Sequence, residues 1–595
     1  MLPRRRVRRG RLLAPAVAAA VAVGLLASGT WTMLEHPGAR ESRAAQAPGA
    51  GAEPAGAPLE EVTEAPPERD RDAARPNVVV VMADDMRVDD LLFAPQIRRL
   101  VARRGLTFAN SFSPYPLCCP ARASFLTGQY AHNHRVYWHE APYGYGSFDD
   151  SRTLATSMSE AGYRTGFIGK YLNLYGVQPS RVSGEPSHTY VPHGWDDWRG
   201  AVENPGDAGF SGGTYHYLNT PFNINGRVDD SHGGEYQSDV IGDFSVAMAR
   251  RFAAGRKPFF MYVNYVAPHF GAPVEPGDID RVLDDHGRLQ DVRTPARPAW
   301  VRGRFDRLID RGAGMPRDGG PSEADISDKP KAMRADPEPN AAERHGLREL
   351  TRQRAESIFV MDRQVARLVR TLKRTGEWEN TVLAFTSDNG YFLGEHRRRS
   401  GKVRAHEPSL RVPLVMTGPG MRSGETRHDP VTTIDLSASI LDLGGARPPV
   451  PADGDSRVPT MLGGDRGWDR PVLTEATHIG RGRSPGFSGP RSSIGVRTAR
   501  YSLIRSRTGE HELYDLLTDP LQQRNVVRDP AYAVVLRDLE KVWWDLRNCR
   551  AAGCRPQLPE SLAASAEEEA RISEHYWREV DRVYGFGSGA PDQTP

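Results

Sequence analysis

Cysteine is scarce in this chain. Its 595 residues include four, Cys118, Cys119, Cys549 and Cys554. None lies near the N-terminus, which excludes a lipid anchor on an N-terminal cysteine. Cys549 and Cys554 bracket a tight polar loop and are expected to pair in an oxidising compartment, leaving Cys118 and Cys119 free. A charge excess is lacking as well. The formal net charge is +3, and without six arginines between Arg4 and Arg11 the remaining 72 basic residues face 75 acidic ones. That balance excludes nucleic acid as an expected partner. Hydrophobic residues make up 38%, an ordinary value for a soluble globular chain. The length accommodates one large domain and a smaller one.

The N-terminal arginines precede an alanine- and valine-rich stretch, Leu12–Leu26, and the small residues Ala27, Ser28 and Gly29. Residues 1–34 read as an export signal. The uncharged run extends to Leu34, long enough to span a bilayer, so two alternatives stand: a cleaved signal peptide, or an uncleaved anchor with the arginines inside. Either places the folded part outside the cytoplasm, secreted or held on the outer face of the cytoplasmic membrane through that anchor alone. Residues 35–75, rich in alanine, proline, glycine and charge, are expected to be a disordered linker, and 581–595 a disordered tail. Between them lie a main domain, 76–448, and a smaller C-terminal domain, 449–580.

The run Asn77–Ala83 is continuously apolar after its first residue, as in a strand buried on both faces of a parallel sheet. It ends in Asp84-Asp85. The layout recurs: Thr165–Gly169 ends in Lys170, Pro258–Val266 leads to Pro268-His269, and Thr381–Thr386 to Asp388-Asn389-Gly390. Polar groups released at the C-terminal ends of such strands gather at the ligand-binding edge of an open α/β sheet. Adjacent carboxylates straight after a buried strand are costly unless a cation or a partner neutralises them; a helix N-cap beside a solvated neighbour is the other reading. Asp84, Asp85, Asp388 and the amide oxygen of Asn389 are the ligand types calcium takes, and they do not suit structural zinc. A helix over Glu356–Thr375 carries an apolar stripe for packing on the sheet. The expected fold class is α/β, a large domain with a mostly parallel central sheet flanked by helices, plus a smaller C-terminal α+β domain. Tyr501–Ile504 and His511–Leu516 read as neighbouring strands of the latter, and Ala531–Leu546 as a helix. Tyr175–Gln237 and Phe270–Arg344 lack periodicity and read as walls of a cleft.

Pro116–Gly128, PLCCPARASFLTG, carries the sharpest signal. Pro120 suits the first helical position, so Cys118 is expected just ahead of a helix N-terminus, where free N–H groups favour a bound anion. Arg122, one turn on, offers a forked donor to the same anion. Cys118-Cys119-Pro120-Ala121-Arg122 resembles the C-x-P-x-R signature of the sulfatases, in which the first cysteine is oxidised to formylglycine. Gly162–Leu172, GYRTGFIGKYL, resembles a second motif of that family, and SGKVRAHEPSLRVPLV its lysine segment. The resemblance runs from about Pro76 to about Leu443, recurs at HELYDLLTDP, and fits best the N-acetylglucosamine-6-sulfatase-like branch.

The resemblance implies hydrolysis of a sulfate monoester, an O-sulfate on a sugar or glycan. Cys118, converted by a formylglycine-generating enzyme and hydrated, would attack sulfur, and the covalent sulfate ester would then expel sulfate by reforming the aldehyde. One Ca2+ ion would be held by Asp84, Asp85, Asp388, Asn389 and the modified Cys118. Arg122, Lys170 and Lys402 would hold the oxygens where charge develops, and His269 or Lys402 would protonate the departing sugar oxygen. His396 reads as a neighbour of Asp388. Leu172 stands where many sulfatases carry a histidine, which leaves the base that expels sulfate open, with His132 or His134 as candidates. Two other readings stand beside this one. One is a phosphodiester or phosphonate monoester hydrolase of the same alkaline-phosphatase-like superfamily. The other is a catalytically silent glycan-binding surface protein with unmodified Cys118.

Overall fold

Every residue of Asn77–Ala83 is buried. Val79, Val81 and Ala83 point into one hydrophobic core and Val78, Val80 and Met82 into another, so side chains alternating at period two are apolar on both faces. A computed structural model of the chain describes residues 75–585 except 280, 310, 478–483 and 485. The expected export signal (1–34), the linker up to residue 74 and the tail from residue 586 lie outside the described residues; residues 581–584, expected to begin the disordered tail, instead complete the helix Ala566–Tyr584, whose apolar side they continue.

The main sheet has ten strands. In chain order these are β1 Asn77–Ala83, β2 Leu106–Phe108, β3 Arg164–Lys170, β4 Asp197–Ala201, β5 Phe222–Ile224, β6 Arg227–Asp229, β7 Phe259–Asn264, β8 Thr381–Ser387, β9 Leu414–Thr417 and β10 Glu425–Arg427. β8, β1, β7, β3 and β4 lie side by side and parallel, which aligns the ends of the four strands singled out in the sequence. The flanks are mixed: β9 pairs antiparallel with β8 and β2, β10 runs parallel to β2, and β5 and β6 continue antiparallel beyond β4. The stretch Tyr175–Gln237, expected only to wall a cleft, thus supplies three sheet strands. They are three to five residues long, too short to show a period between glycines and prolines.

The longer helices are α1 Cys118–Thr127, α2 Gln237–Ala253, α3 Ala341–Arg374, α4 Thr433–Gly444, α5 Ala533–Leu546 and α6 Ala566–Tyr584. α2 and α3 cover one face of the sheet, and α1 and α4 the other. Two expectations need correction. Cys118 is the first residue of α1, and Pro120 is its third; the whole first turn has free N–H groups, so proline fits there too. α3 starts at Ala341, well before Glu356. Asn340 and Glu343 cap it reciprocally, and its first half is buried through Leu347 and Leu350 together with ion pairs, Glu343 with Arg399 and Arg354 with Asp90.

Beyond residue 449, β11 Val472–Ala476, β12 Ser493–Arg497, β13 Tyr501–Ser506 and β14 His511–Asp515 form an antiparallel sheet against α5. Their hydrophobic core is continuous with Phe112, Leu410 and Ile434. Cys549 and Cys554 are disulfide-bonded, and Cys118 and Cys119 are free and buried. Among the described residues no helix is long and apolar enough to cross a membrane.

Candidate active site

The C-terminal ends of β1, β3, β7 and β8 meet the N-terminus of α1. Asp84 and Asp85 follow β1 directly; Asp85 has φ 64°, a left-handed turn that Asp tolerates better than most residues. Cys118 Sγ lies 3.1 Å from Asp84 Oδ1, 3.7 Å from Asp85 Oδ1 and 2.6 Å from Lys402 Nζ. Lys170 Nζ donates to Asp84 and Lys402 Nζ to Asp85. Gly169, ahead of Lys170, has φ 92°, and a Cβ there would sit 1.8 Å from the Asn264 carbonyl oxygen. Glycine is therefore what lets the ends of β3 and β7 come together.

Arg122 is 1% exposed. Its Nε donates to Asp388 Oδ2 at 2.8 Å, and its Nη1 to the Lys170 carbonyl at 3.0 Å and to Asn264 Oδ1 at 2.9 Å. Asp388 Oδ1 in turn accepts from the Asp85 N–H at 3.1 Å. Asn389 Nδ2 donates to Asp85 Oδ1 at 2.6 Å and to the Gly390 carbonyl at 2.8 Å. His269 Nδ1 is 2.7 Å from the Phe270 carbonyl, an acceptor, so this nitrogen carries the proton and Nε2 is the atom turned to Asp85 Oδ2, 3.7 Å away. The structure thus brings Asp84, Asp85, Cys118, Arg122, Lys170, His269, Asp388, Asn389 and Lys402 into one cluster.

Burial is the largest influence on every titrating group here. It pushes the Cys118 thiol up, Asp388 and Asp84 push it further, and the two lysines only partly oppose them. An unmodified thiol at this place is a poor nucleophile. Against burial, Lys170, His269, Arg122 and Lys402 hold Asp84 well below the usual carboxylate range, and Lys402 and His269 hold Asp85 down. Burial and Asp84 together raise Asp388 to about 6. Burial lowers His269 to about 4, leaving the ring neutral.

The oxygen set also fits a hard cation. Asp85 Oδ2 and Asn389 Oδ1 are buried and accept no hydrogen bond. Oxygens of Asp84, Asp85 and Asp388 lie within 4.8 Å of each other and of Cys118 Sγ. Buried oxygen acceptors without donors, beside two carboxylates, are what a calcium ion satisfies.

Three histidines stand elsewhere. His396 pairs with Glu323 at 2.8 Å. His132 lies between Glu475 Oε1 at 3.0 Å and the Cys549 carbonyl at 2.8 Å, and His134 Nε2 is 2.9 Å from Ser124 Oγ. These partners orient them away from the cluster. Of the arginine run after His396, Arg399 is buried on Glu343 and not at the surface. Residues without a sequence motif complete the site. Tyr215 packs tilted against His269, ring centroids 4.8 Å apart, and its ring lies 4.9 Å from Lys170 Nζ. Arg354 Nη2 holds the Asp85 carbonyl at 2.8 Å. His139 has its Nε2 buried without a partner, and its charge state responds to Lys402, Lys170 and His269. Asn264 alone had a signal, its place at the end of a buried strand. A cavity of about 490 Å3 opens beside Lys402, bounded by Val403, Arg398, Arg404, Met333 and Arg507.

A parallel sheet edge that faces a buried Cys118 with three carboxylates, three cations and orphaned oxygens defines a class: α/β hydrolases of anionic esters. The chain belongs to the sulfatase family of sulfuric ester hydrolases, whose model, described as Sulfatase, matches residues 76–446. A second, described as N-sulphoglucosamine sulphohydrolase, C-terminal, matches 394–549. The N-acetylglucosamine-6-sulfatase of Capra hircus is 28% identical over 526 residues, 81% of this chain and 85% of that protein. The extracellular sulfatase SULF-1 homolog of Drosophila melanogaster is 30% identical over 69% of this chain, which spans 34% of that longer protein. Two solved structures share the fold. One, in complex with its substrate D-glucosamine-2-N,6-O-disulfate, has a TM-score of 0.56 at 21% identity over 79% of this chain and 96% of that one. The other, a phosphonate monoester hydrolase from Silicibacter pomeroyi, has a TM-score of 0.56 at 23% identity over 82% and 99%.

Proposed function

We propose that the chain hydrolyses O-sulfate monoesters on a sugar or glycan, with formylglycine formed at Cys118 and one calcium ion held by Asp84, Asp85, Asp388 and Asn389. The observation that carries this reading is the position of Cys118 Sγ, against Asp84, Asp85 and Lys402 at the start of α1. A plain thiol there is held protonated; a hydrated aldehyde at the same place supplies an oxygen nucleophile and an internal route for its release. The calcium ion, when bound, supplies positive charge beside the sulfate oxygens.

The chain's own groups do the rest. Lys170, Lys402 and Arg122 Nη2, which has no hydrogen-bond acceptor and lies 4.0 Å from Asp84 Oδ2, face the space where sulfate oxygens gain charge. Arg122 Nε and Nη1 fix Asp388 and Asn264, so its cation is held without rotamer freedom. His269 Nε2, on gaining a proton, delivers it to the departing sugar oxygen. His139 Nε2, buried and neutral, accepts the proton released at residue 118, the role left open by Leu172. The cavity beside Lys402 receives the sugar, with Met333 and Asp336 of the 270–344 stretch as one wall.

The reading includes export by residues 1–34, an extracytoplasmic location, maturation by a formylglycine-generating enzyme, and the division into 76–448 and 449–580. Mass spectrometry of the peptide containing Cys118 tests it first: the side chain is expected as an aldehyde, its sulfur lost. Turnover of defined sulfated mono- and oligosaccharides is then expected, and none by Cys118→Ala. Faster turnover of matched phosphodiesters or phosphonates would replace this reading with the phosphonate hydrolase one. An unmodified Cys118 in an exported, glycan-binding but inactive chain would replace it with the silent one.

A further inference from the structure

Three carboxylates outside the Cys118 cluster meet without a counter-charge. Asp429 precedes α4, Asp465 follows the short helix Val458–Gly463, and Glu569 is in the first turn of α6. An oxygen of each lies within 4.8 Å of the other two. Two of the side chains are anchored. Asp429 Oδ1 accepts from the Arg466 and Gly467 N–H groups at 2.8 and 3.0 Å, and its Oδ2 from Thr460 Oγ1 at 2.5 Å. Asp465 Oδ1 accepts from the His428 and Asp429 N–H groups at 2.9 and 3.1 Å.

Glu569 is different. It is 1% exposed, and neither carboxylate oxygen accepts a hydrogen bond. The side chain is instead aimed at Asp429 and Asp465. Among the described residues no Lys, Arg or His forms an ion pair with any of the three; Arg457, in the neighbourhood, is engaged with Asp435 at 3.7 Å.

Three carboxylates this close, one of them cut off from water, do not stay ionised unless something neutralises them. A proton shared by Glu569 and Asp429 is one way, and a cation is the other. The donors are all carboxylate oxygens, without thiolate or imidazole, which selects a hard ion. Asp465 is only half-buried, so the cluster opens to solvent on that side and water can complete the coordination. The framework is set independently, because Trp468 N–H donates to the Ala564 carbonyl at 2.8 Å and holds the start of α6 beside the 465–468 segment.

We propose that Asp429, Asp465 and Glu569 bind a calcium ion that fastens the start of α6 to the segments around residues 429 and 465. The ion touches no residue of the Cys118 cluster, so its role is to hold the C-terminal helix in place.

The test counts calcium and reads α6 directly, in the full chain. Bound calcium is measured by elemental mass spectrometry after dialysis, for the wild type and Glu569→Gln, each with and without Asp85→Asn to separate any ion at the Cys118 cluster. Hydrogen exchange of residues 566–584 is followed in calcium and in chelator. Glu569→Gln is expected to lower the count by one ion per chain in both backgrounds, and calcium to slow α6 exchange at least tenfold only where Glu569 is present. Equal counts with and without Glu569, or wild-type α6 exchange indifferent to calcium, would overturn the proposal in favour of the shared proton. Should Glu569→Gln fail to fold, exchange in the Asp85→Asn chain with and without calcium decides alone.

Discussion

Val403 follows Lys402 with φ 81°, a conformation that costs a β-branched residue on the order of 1–3 kcal/mol. Its N–H donates to the Pro116 carbonyl at 3.0 Å, so the strained turn ties the lysine loop to the loop that carries Cys118 and aims Nζ at the sulfur. In Val403→Gly the strain is relieved and the aim loosened. The melting temperature is expected to hold or rise while kcat/KM falls about tenfold. A less stable variant with full activity would contradict this. His139 makes a second case. It sits in a loop with no motif, and only folding shows that its Nε2 is buried beside the cluster. Burial first, then Lys402 and Lys170, hold its pKa well below the ordinary imidazole value, so it is a neutral base throughout the working range. His139→Gln is expected to lower kcat about 100-fold with KM nearly unchanged. A change in KM alone would assign His139 to packing.

Among elements, the buried parallel strands were legible because a strand covered on both faces is apolar through its middle, as residues 78–83 of β1 and 382–385 of β8 are. The start of α3 was not read, although Asn340-Ala-Ala-Glu343 spells its capping box, because buried charges on Glu343 and Arg354 interrupt the apolar positions Leu347 and Leu350 in its first half. Ion pairing also joins β11 to the segment after α1. Glu475 takes His132 Nδ1 at 3.0 Å and Arg491 Nη1 at 2.6 Å, and His132 Nε2 meets the Cys549 carbonyl. Both imidazole nitrogens face acceptors, so the cation is favoured and the His132 pKa rises above 6.5 despite burial. Burial alone would raise Glu475, but His132 and Arg491 pull it down to about 2. The signs then follow. The Glu475 contribution, on the order of 3 kcal/mol, is present above about 4.5 and lost as pH falls from 4.5 towards 2. The His132 contribution is complete below 6.5 and lost as pH rises through its raised value. Denaturant midpoints of the wild type and Glu475→Gln should therefore differ most between about pH 4.5 and 6.5, less at higher pH, and least near pH 2. An equal deficit at all pH values would show that the pair does not titrate as a unit.

For the molecule as a whole, the packing between 76–448 and the C-terminal part was not legible in the sequence. Phe112, Leu410 and Ile434 fall within the stretch 76–448. In the fold they pack with Trp468, Leu503 and Leu513 of the C-terminal part, and the Phe112 and Trp468 ring centroids are 6.0 Å apart. The seam also carries a buried charge network. Glu407 accepts from Arg411 Nε and from Arg497 Nε, each at 2.8 Å, and against burial these arginines hold its carboxyl at about 2. A chain ending at Pro448 keeps Glu407 and Arg411 but loses Arg497, and it bares Phe112, Leu410 and the Ile434 side of α4. Exposing a core face costs roughly 25 cal/mol per Å2, and stripping one partner from a buried ion network costs about 3–5 kcal/mol; together they take a large share of a typical domain's margin of about 5–15 kcal/mol. The fragment 75–448 is therefore expected to aggregate, or to bind a hydrophobic dye and melt without cooperativity, even with the Cys118 site intact in sequence. Scanning calorimetry and gel filtration decide the matter. A monomeric fragment with a sharp transition would make the C-terminal part an appendage, whereas its collapse makes 449–580 a piece of the same core that holds the active-site edge in place.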